Sequence, residues 1–225
     1  MRSAQSMPKI VDHDERRREI SAAITQIIVA EGFERVTMRE LAARIGFAHG
    51  VIIKYFPNKQ SILAAAVTQL YSGVNERLAG QVEGYRGLEG LERMFRALLP
   101  FGSEAVLRAR AVIAFWNYAV HNLELSAIHR ENNLMWRREF HRFLVEARED
   151  GELGSHVDID AAVNRIVVSS AGWQMTAVLL PEFTRAAHLE QELTTLMESL
   201  RAPEKQGMSP RKGAAQVAPS EAPID

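Results

Sequence analysis

The chain has 225 residues, 47% of them hydrophobic and 24% charged, which is enough for one large domain or two modest ones and excludes a wholly disordered chain. Its 27 basic and 28 acidic residues give a net charge of −1, which does not indicate a strongly basic nucleic-acid-binding protein. The lack of cysteine excludes disulfides, thiol nucleophiles and cysteine-ligated zinc. No apolar run has the length of a membrane span or the position of a signal peptide. We therefore expect a cytoplasmic globular protein with no membrane contact.

Two long helices are predicted in the first part of the chain. The first carries Ile20, Ile24 and Ile28 at helical spacing and is expected to end at Gly32. The other begins after Asn58, a favourable N-cap residue, and carries apolar residues at the same spacing as far as residue 78. Each helix is therefore expected to bury one face.

Between these helices lie two short predicted helices separated by a glycine. Thr37 and Glu40 have the spacing of a capping box, which predicts a helix over Met38–Ile45. Gly46 can adopt the positive φ of a tight turn, and the next short helix fits residues 48–56. This arrangement is typical of a helix-turn-helix motif, whose second helix enters the major groove of DNA. An ordinary helical hairpin is the alternative interpretation.

A small hydrophobic core is expected between the two short helices. Ala42 is small at the point where we expect the second helix to cross close above the first. The apolar residues that would fill this core are Leu41, Ile45, Phe47 and Ile52.

Helical spacing continues over the rest of the chain, with no alternation typical of strands. Gly84, Gly87 and Gly90 indicate a loose connection after the long helix. Further helices are predicted near residues 88–99, 104–122, 124–149, 159–180 and 183–200. The predicted fold class is therefore all-α.

The residues after the predicted turn include Gly50, Ile52, Ile53, Tyr55, Phe56 and Lys59. They resemble the N-terminal signature of the TetR family of transcriptional regulators, Gly-x-Leu/Ile-Tyr-x-Tyr/His-Phe with a lysine a few residues later. The resemblance extends over about residues 10–65. Two positions differ: Ile53 replaces an aromatic residue whose hydroxyl commonly contacts a phosphate, and Ala48 replaces the usual Ser/Thr cap of the recognition helix.

The resemblance implies a particular domain organisation. An N-terminal three-helix helix-turn-helix domain would be joined by a long helix to a C-terminal helical effector-binding and dimerisation domain. The bounds expected are a flexible N-terminus at 1–9, the DNA-binding domain at 10–60, the ligand-binding and dimerisation domain at 61–200, and a disordered tail at 201–225.

Contacts to the phosphates of double-stranded operator DNA are expected from residues in and around the motif. Thr37 would hold a phosphate through its hydroxyl and the helix N-terminus behind it. A solvated helix face is the alternative interpretation for Arg44. The other candidates for contacts to the DNA backbone or groove edges are Arg39, Arg44, Lys54, Tyr55 and Lys59.

Contacts to bases are expected from the second short helix. His49 can hydrogen-bond a purine, while Val51 and Ile53 can cover a thymine methyl group. Ala48 and Gly50, at the start of the same helix, complete the predicted DNA-binding set.

The region beyond residue 85 carries all three tryptophans. Its segments Trp116…Ala119, Trp136-Arg137-Arg138, Ala147…Gly151-Glu152-Leu153 and Asp160-Ala161-Ala162 resemble the BetI-type subgroup of the same family. The resemblance implies a small-molecule effector, and an aromatic cage for a cationic amine is one interpretation, with core tryptophans as the other. The candidate ligand-binding residues are Phe95, Phe115, Trp116, Asn117, His121, Met135, Trp136, Phe140, Trp173 and Gln174.

A homodimer is also expected. The small residues at 169–172 would allow another helix to approach closely, and the alternative is that they pack within the chain. The long helix after Asn58 would transmit the effect of effector binding to the DNA-binding domain. The last helix would complete a four-helix interface with Leu189, Leu193, Leu196, Met197 and Leu200.

An enzyme is the main alternative from another class. The seven histidines form no His-Glu-x-x-His pattern and no evident triad, and no glycine-rich phosphate loop is present. We therefore expect no catalytic residue, metal or cofactor. The sequence favours a dimeric repressor that a small-molecule effector releases from palindromic DNA; the alternative is a helical enzyme or an adaptor with a non-DNA-binding helix-turn-helix.

The distribution of charge supports a DNA partner more than the total does. Residues 1–60 carry +3, residues 61–200 carry −5, and residues 201–225 carry +1. Lys9, Lys54 and Lys59 lie in the first part, and residues 61–200 contain no lysine. A basic domain on an acidic body would orient the protein on a polyanion.

Overall fold

The computed structural model describes residues 13–31 and 37–202. Over these residues the chain is helical, and Leu153 and Arg201 form an isolated antiparallel bridge. The helices are α1 His13–Glu31, α2 Met38–Arg44, α3 His49–Tyr55, α4 Lys59–Val82, α5 Gly87–Leu98, α6 Gly102–Ala119, α7 Leu123–Glu149, α8 Ile159–Leu179 and α9 Ala186–Leu200, with a 3₁₀ turn at Pro181–Phe183. The predicted all-α fold class is confirmed.

Some predicted features fall outside the described residues. They are the flexible N-terminus at 1–9, the end of the first helix at Gly32, and the tail from residue 203 onward. At the start of the predicted tail, the Ala202 amide donates to the Glu152 carbonyl at 2.7 Å. The packed part of the chain therefore extends to Ala202.

The two short helices form as the capping and turn residues predict. The Thr37 hydroxyl accepts from the Glu40 amide at 3.2 Å, and the Glu40 carboxylate accepts from the Thr37 amide at 2.8 Å, which completes the capping box. Gly46 has a φ of +76°, in the region that favours glycine. Ala48 caps α3 without a side-chain hydrogen bond. Hence α3, unlike α2, has no side-chain cap.

The predicted core of the motif is largely confirmed. Leu41, Ala42 and Ile52 are buried, and Ile45 and Phe47 are half-buried against them. Each apolar side chain that was placed in this core thus contributes to it.

Helix α4 belongs to both halves of the molecule. Near its start, Ile62, Leu63 and Ala66 are buried where α4 packs against α1. Further along, Tyr71 and Leu78 are buried among the helices of the C-terminal domain. The DNA-binding motif is therefore joined to that domain by one continuous helix of 24 residues.

The start of α5 is tightly packed, contrary to the loose connection that its glycines suggested. A Cβ on Gly90 would lie 2.2 Å from the ring of Phe143 in α7, so only a residue without a side chain fits there. The Gly87 amide donates to Glu146 at 3.1 Å, and the Leu88 amide donates to Glu152 at 2.8 Å. Two carboxylates thus satisfy amides that the helix N-terminus leaves unpaired.

The apolar face of α9 packs within the chain. The expected role of its apolar residues in a dimer interface is therefore wrong, because their side chains are already covered within one subunit. They are Leu189, Leu193, Leu196, Met197 and Leu200.

We predict that Gly90→Ala destabilises the protein by about 1–3 kcal/mol, because the new methyl group overlaps the fully buried Phe143 ring. Gly73→Ala is the control: it lies within α4 with open space around its Cβ position, and alanine should add about 0.5–1 kcal/mol there. Urea denaturation followed by circular dichroism measures both. Equal stability of the two variants would contradict the close α5–α7 contact.

Candidate functional site

Helix α3 presents most of its predicted DNA-contacting residues to solvent. His49, Gly50 and Lys54 are exposed, and Val51 and Ile53 are 36% and 39% exposed. Two side chains on the opposite face anchor the helix, since Ile52 and the adjacent Phe56 are fully buried. The exposed face is therefore available to a partner.

The predicted phosphate contacts have differing surroundings. The Thr37 hydroxyl donates to the Glu40 carboxylate at 2.9 Å, and the hydrogen bonds from Thr37 lower the pKa of Glu40. A phosphate at Thr37 would have to replace this carboxylate as the acceptor. Arg44 is paired with Glu31 at 2.5 Å, which ties α2 to α1 and raises the pKa of Arg44.

The remaining phosphate candidates lie close to α3 and the start of α4. Arg39 is exposed on α2, and Ala48 is exposed just before α3. The half-buried Tyr55 hydroxyl lies 3.1 Å from the Nδ1 of His13 in α1. Lys59 is half-buried at the first position of α4. These candidates thus come from α2, α3 with the residue before it, and the start of α4.

A second site lies inside the C-terminal domain. This central cavity has a volume of about 80 Å³ and lies among α4, the end of α5 and the segment after it, α6, α7 and α8. Its lining includes Tyr71, Val74, Arg77, Leu98, Arg108, Val112, Trp116, His129, Asn133, Trp136, Val167 and Gln174. Apolar walls with a few convergent polar groups are typical of small-molecule sites.

His129 joins α4 and α6 through hydrogen bonds beside the cavity. Its Nδ1 accepts from the Trp116 indole N–H at 3.3 Å and lies 2.7 Å from the Tyr71 hydroxyl. An indole N–H can only donate, so Nδ1 carries no proton. Burial lowers the pKa of His129 and, by desolvation, raises that of Tyr71 to about 12. Both groups are therefore neutral near pH 7.

Two arginines line the same cavity. Arg108 is half-buried, and burial together with the charge of Arg77 lowers its pKa. Arg77 is exposed and makes no hydrogen bond or ion pair with any residue that the structure describes, and the Glu104 partner of Arg108 is 3.6 Å away and almost fully exposed. The cavity therefore carries positive charge that is only weakly compensated.

An outer groove lies on the other side of Trp136, between α4, α5 and α7. It is more open than the central cavity and has a volume of about 630 Å³. Its charged lining residues are Glu83, Glu139 and Arg142, and Arg142 is paired with Glu139 at 2.8 Å. The Trp136 indole N–H is held by Asn75 at 2.8 Å. Trp136 thus separates a basic cavity from a groove that contains carboxylates.

The structure brings together only part of the predicted ligand-binding set. Trp116, Trp136 and Gln174 line the central cavity, while Met135 and Trp136 line the outer groove. The other predicted residues line neither: Phe95, Phe115 and Phe140 are fully buried, Trp173 is half-buried against the core, and Asn117 and His121 are exposed.

Sequence reasoning missed the cavity residues Arg108, His129 and Asn133, although helical spacing contained a signal for them. Arg108 lies eight residues before Trp116 on one face of α6. Likewise, His129 and Asn133 precede Trp136 by seven and three residues on one face of α7.

Comparisons with known proteins agree with this geometry. Residues 20–66 match the family described as bacterial regulatory proteins, tetR family, and residues 87–202 match the C-terminal domain of the BetI-type transcriptional repressors. The chain belongs to the TetR family, with a BetI-type C-terminal domain. It is a helix-turn-helix DNA-binding transcriptional regulator, and the family is one of regulators rather than enzymes.

Two curated relatives and one solved structure illustrate the match of this TetR-family chain. PksA of Bacillus subtilis is 24% identical, in an alignment that covers 86% of this chain and 94% of PksA. A BetI of Escherichia coli is 29% identical, in an alignment that covers 64% of this chain and 79% of that protein. A regulator from Saccharomonospora viridis, crystallised in complex with choline, has a TM-score of 0.75 at 18% identity and covers 83% of this chain and 97% of its own. The last comparison shows a common fold.

Two other features are absent from the described parts of this TetR-family chain, a membrane-spanning helix and a metal-binding cluster. Residues 13–31 and 37–202 contain no helix long and apolar enough to cross a membrane. They also contain no group of three or more histidine or acidic side chains placed to hold a metal ion.

We predict that lowering the pH from about 7.5 to 5.5 destabilises the protein, in part through His129. Its pKa in the folded chain lies below the ordinary value of 6.5, so as the pH falls the unfolded chain binds the proton first. The free energy of unfolding therefore decreases as the pH falls below 6.5. His129→Asn, which offers an acceptor near the Nδ1 position, should show a smaller loss in urea denaturation at the two pH values.

The exposed His121→Asn is the control, and it should keep the pH dependence of the wild type. An unchanged pH dependence in His129→Asn would show that His129 does not contribute to the loss of stability.

Proposed function

We propose that this TetR-family regulator is a homodimeric repressor, which binds palindromic operator DNA through α3 and is released when a small molecule occupies the central cavity. The observation that carries the proposal is the exposed face of α3, which buried Ile52 and Phe56 hold in place. Val51 and Ile53 add partly exposed apolar surface to this face, beside the exposed His49 and Lys54.

The chemistry of α3 supports groove binding. His49 offers a ring nitrogen to a base edge, and Val51 and Ile53 offer apolar surface to thymine methyl groups. Lys54 and Lys59 supply positive charge for phosphates. Because residues 1–60 carry only +3, affinity must also depend on two copies of the motif binding together.

Helix α8 offers the surface that dimerisation requires. Val168, Met175 and Leu179 are 59%, 41% and 65% exposed, and they lie with Gly172 at helical spacing along one face. Phe183, just after this helix, is 57% exposed. Within the small-residue patch, Ser170 is buried inside the chain while Gly172 has open space around it. We therefore assign the interface to this face of α8 instead of the buried α9 leucines.

Two helices connect the cavity to the DNA-binding domain. Helix α4 contributes Arg77 to the cavity and packs against α1 at its other end. Helix α6 contributes Arg108 to the cavity, while its Ala111 and Phe115 lie at the junction with α1 and α4. A ligand that shifts α4 relative to α6 would change the position of the recognition helix, and a coupling energy of about 1–3 kcal/mol is typical for such systems.

The choline complex of the Saccharomonospora viridis protein supports a small-molecule effector in this fold. The effector itself need not be the same, since the two chains are 18% identical. Coupling requires only that the ligand bind one conformation better than the other.

We predict that two α3 variants affect DNA binding differently. Using a duplex selected from a random library, Lys54→Ala should weaken binding to all sequences alike and reduce the dependence of log K on log salt by about one unit. His49→Ala should instead lower the preference for one base pair, at a cost of about 1–3 kcal/mol.

Arg110→Ala, an exposed arginine of α6, serves as the control for a loss of charge outside α3. Wild-type protein that binds selected and random duplexes equally well would overturn the proposal of operator recognition.

We also predict that Met175→Glu converts the dimer to a monomer, because it places a charge in an interface that must exclude water. Leu107→Glu is matched in exposure, at 40% against 41%, but lies on α6, and it should remain dimeric. Sedimentation equilibrium measures both. A monomeric wild-type protein would refute the dimer, whereas a dimeric Met175→Glu would refute only its assignment to α8.

A further inference from the structure

The charge of the central cavity points to the class of its ligand. Arg77 from α4 and Arg108 from α6 both line the cavity, and no carboxylate does. Their charges repel each other, and the exposed Glu104 compensates Arg108 only weakly at 3.6 Å. The remaining polar lining includes neutral His129 and the Gln174 amide, so the positive charge has no counter-ion within the wall.

We propose that the central cavity binds a small organic anion, a carboxylate with an apolar body. The assignment rests on the proposed effector function of this cavity and goes beyond it by naming the ligand class. The carboxylate would lie between the two guanidinium groups, which donate in the fork geometry that suits it. The apolar body would contact Val112, Val167 and the ring of Trp116.

The same charges disfavour the aromatic cage for a cationic amine in this cavity. An ammonium group in this cavity would approach two positive charges and no carboxylate of the cavity wall. The indole N–H groups of Trp116 and Trp136 already donate within the protein. The acidic residues Glu83 and Glu139 lie on the far side of Trp136, in the outer groove.

An anion placed here would act on both helices that lead to the DNA. Without a ligand, Arg77 and Arg108 repel each other across the cavity, and a carboxylate would replace that repulsion with attraction to both. This would draw α4 towards α6. The junction of α6 with α1, at Phe115 and Thr25, would then move with respect to α4.

The experiment measures ligand binding without DNA. Straight-chain carboxylates from butanoate to octanoate are compared with their primary amides, which have the same shape and no charge, at equal ionic strength. Quenching of tryptophan fluorescence and the rise in melting temperature report binding beside Trp116 and Trp136. At least one carboxylate should bind more tightly than its amide, and choline should not displace it.

The arginine variants locate the site. Arg77→Gln and Arg108→Gln should each weaken carboxylate binding about tenfold or more while amide binding stays the same. Arg110→Gln, which removes a charge from the exposed part of α6, should have no effect. The assignment is overturned if no carboxylate binds better than its amide, if choline displaces it, or if the two cavity variants bind as the wild type does.

A separate measurement with operator DNA distinguishes this proposal from the effector function. Carboxylate binding that leaves the operator complex intact would contradict release by the cavity ligand, while the anion site would stand. Release by a neutral or cationic molecule in the central cavity, and by no carboxylate, would contradict the anion site and support the effector function.

Discussion

The packing of helix α4 in two different environments is the constraint on which the rest of the structure depends. Its first turns, which include the buried Ile62 and Leu63, pack against α1 of the DNA-binding domain. Its later turns bring Tyr71 and Arg77 to the central cavity. One continuous helix therefore borders both the DNA-binding domain and the central cavity.

Local chemistry made the N-terminal domain predictable. Thr37 with Glu40, the positive φ of Gly46, and the N-cap at Asn58 act within a few residues, so the sequence contains both partners of each interaction. The inward direction of Ile52 follows from the same helical periodicity. For these elements, tertiary packing agrees with local preference.

Features that depend on distant partners could not be predicted in the same way. Gly90 looks like a loop residue until Phe143, fifty-three positions later, is seen to need its space. The α9 leucines have the same pattern whether they pack within the chain or across a dimer. For the charged cavity residues Arg77 and Arg108, sequence alone does not separate a solvated arginine from one that lines a cavity. In each case the role of the residue depends on which helices pack together, and the sequence does not contain that information in any local pattern.

The short recognition helix has a consequence for how such a protein can change over time. Seven residues without a side-chain cap are too few to be helical alone, so α3 owes its structure to the burial of Ile52 and, next to it, Phe56. The outward-facing residues contribute little to folding. This explains how Ala48 and Ile53 can differ from the family signature while the motif keeps its geometry. Substitutions on that face can accumulate without loss of stability, which leaves the choice of DNA sequence free to diverge while the fold is retained.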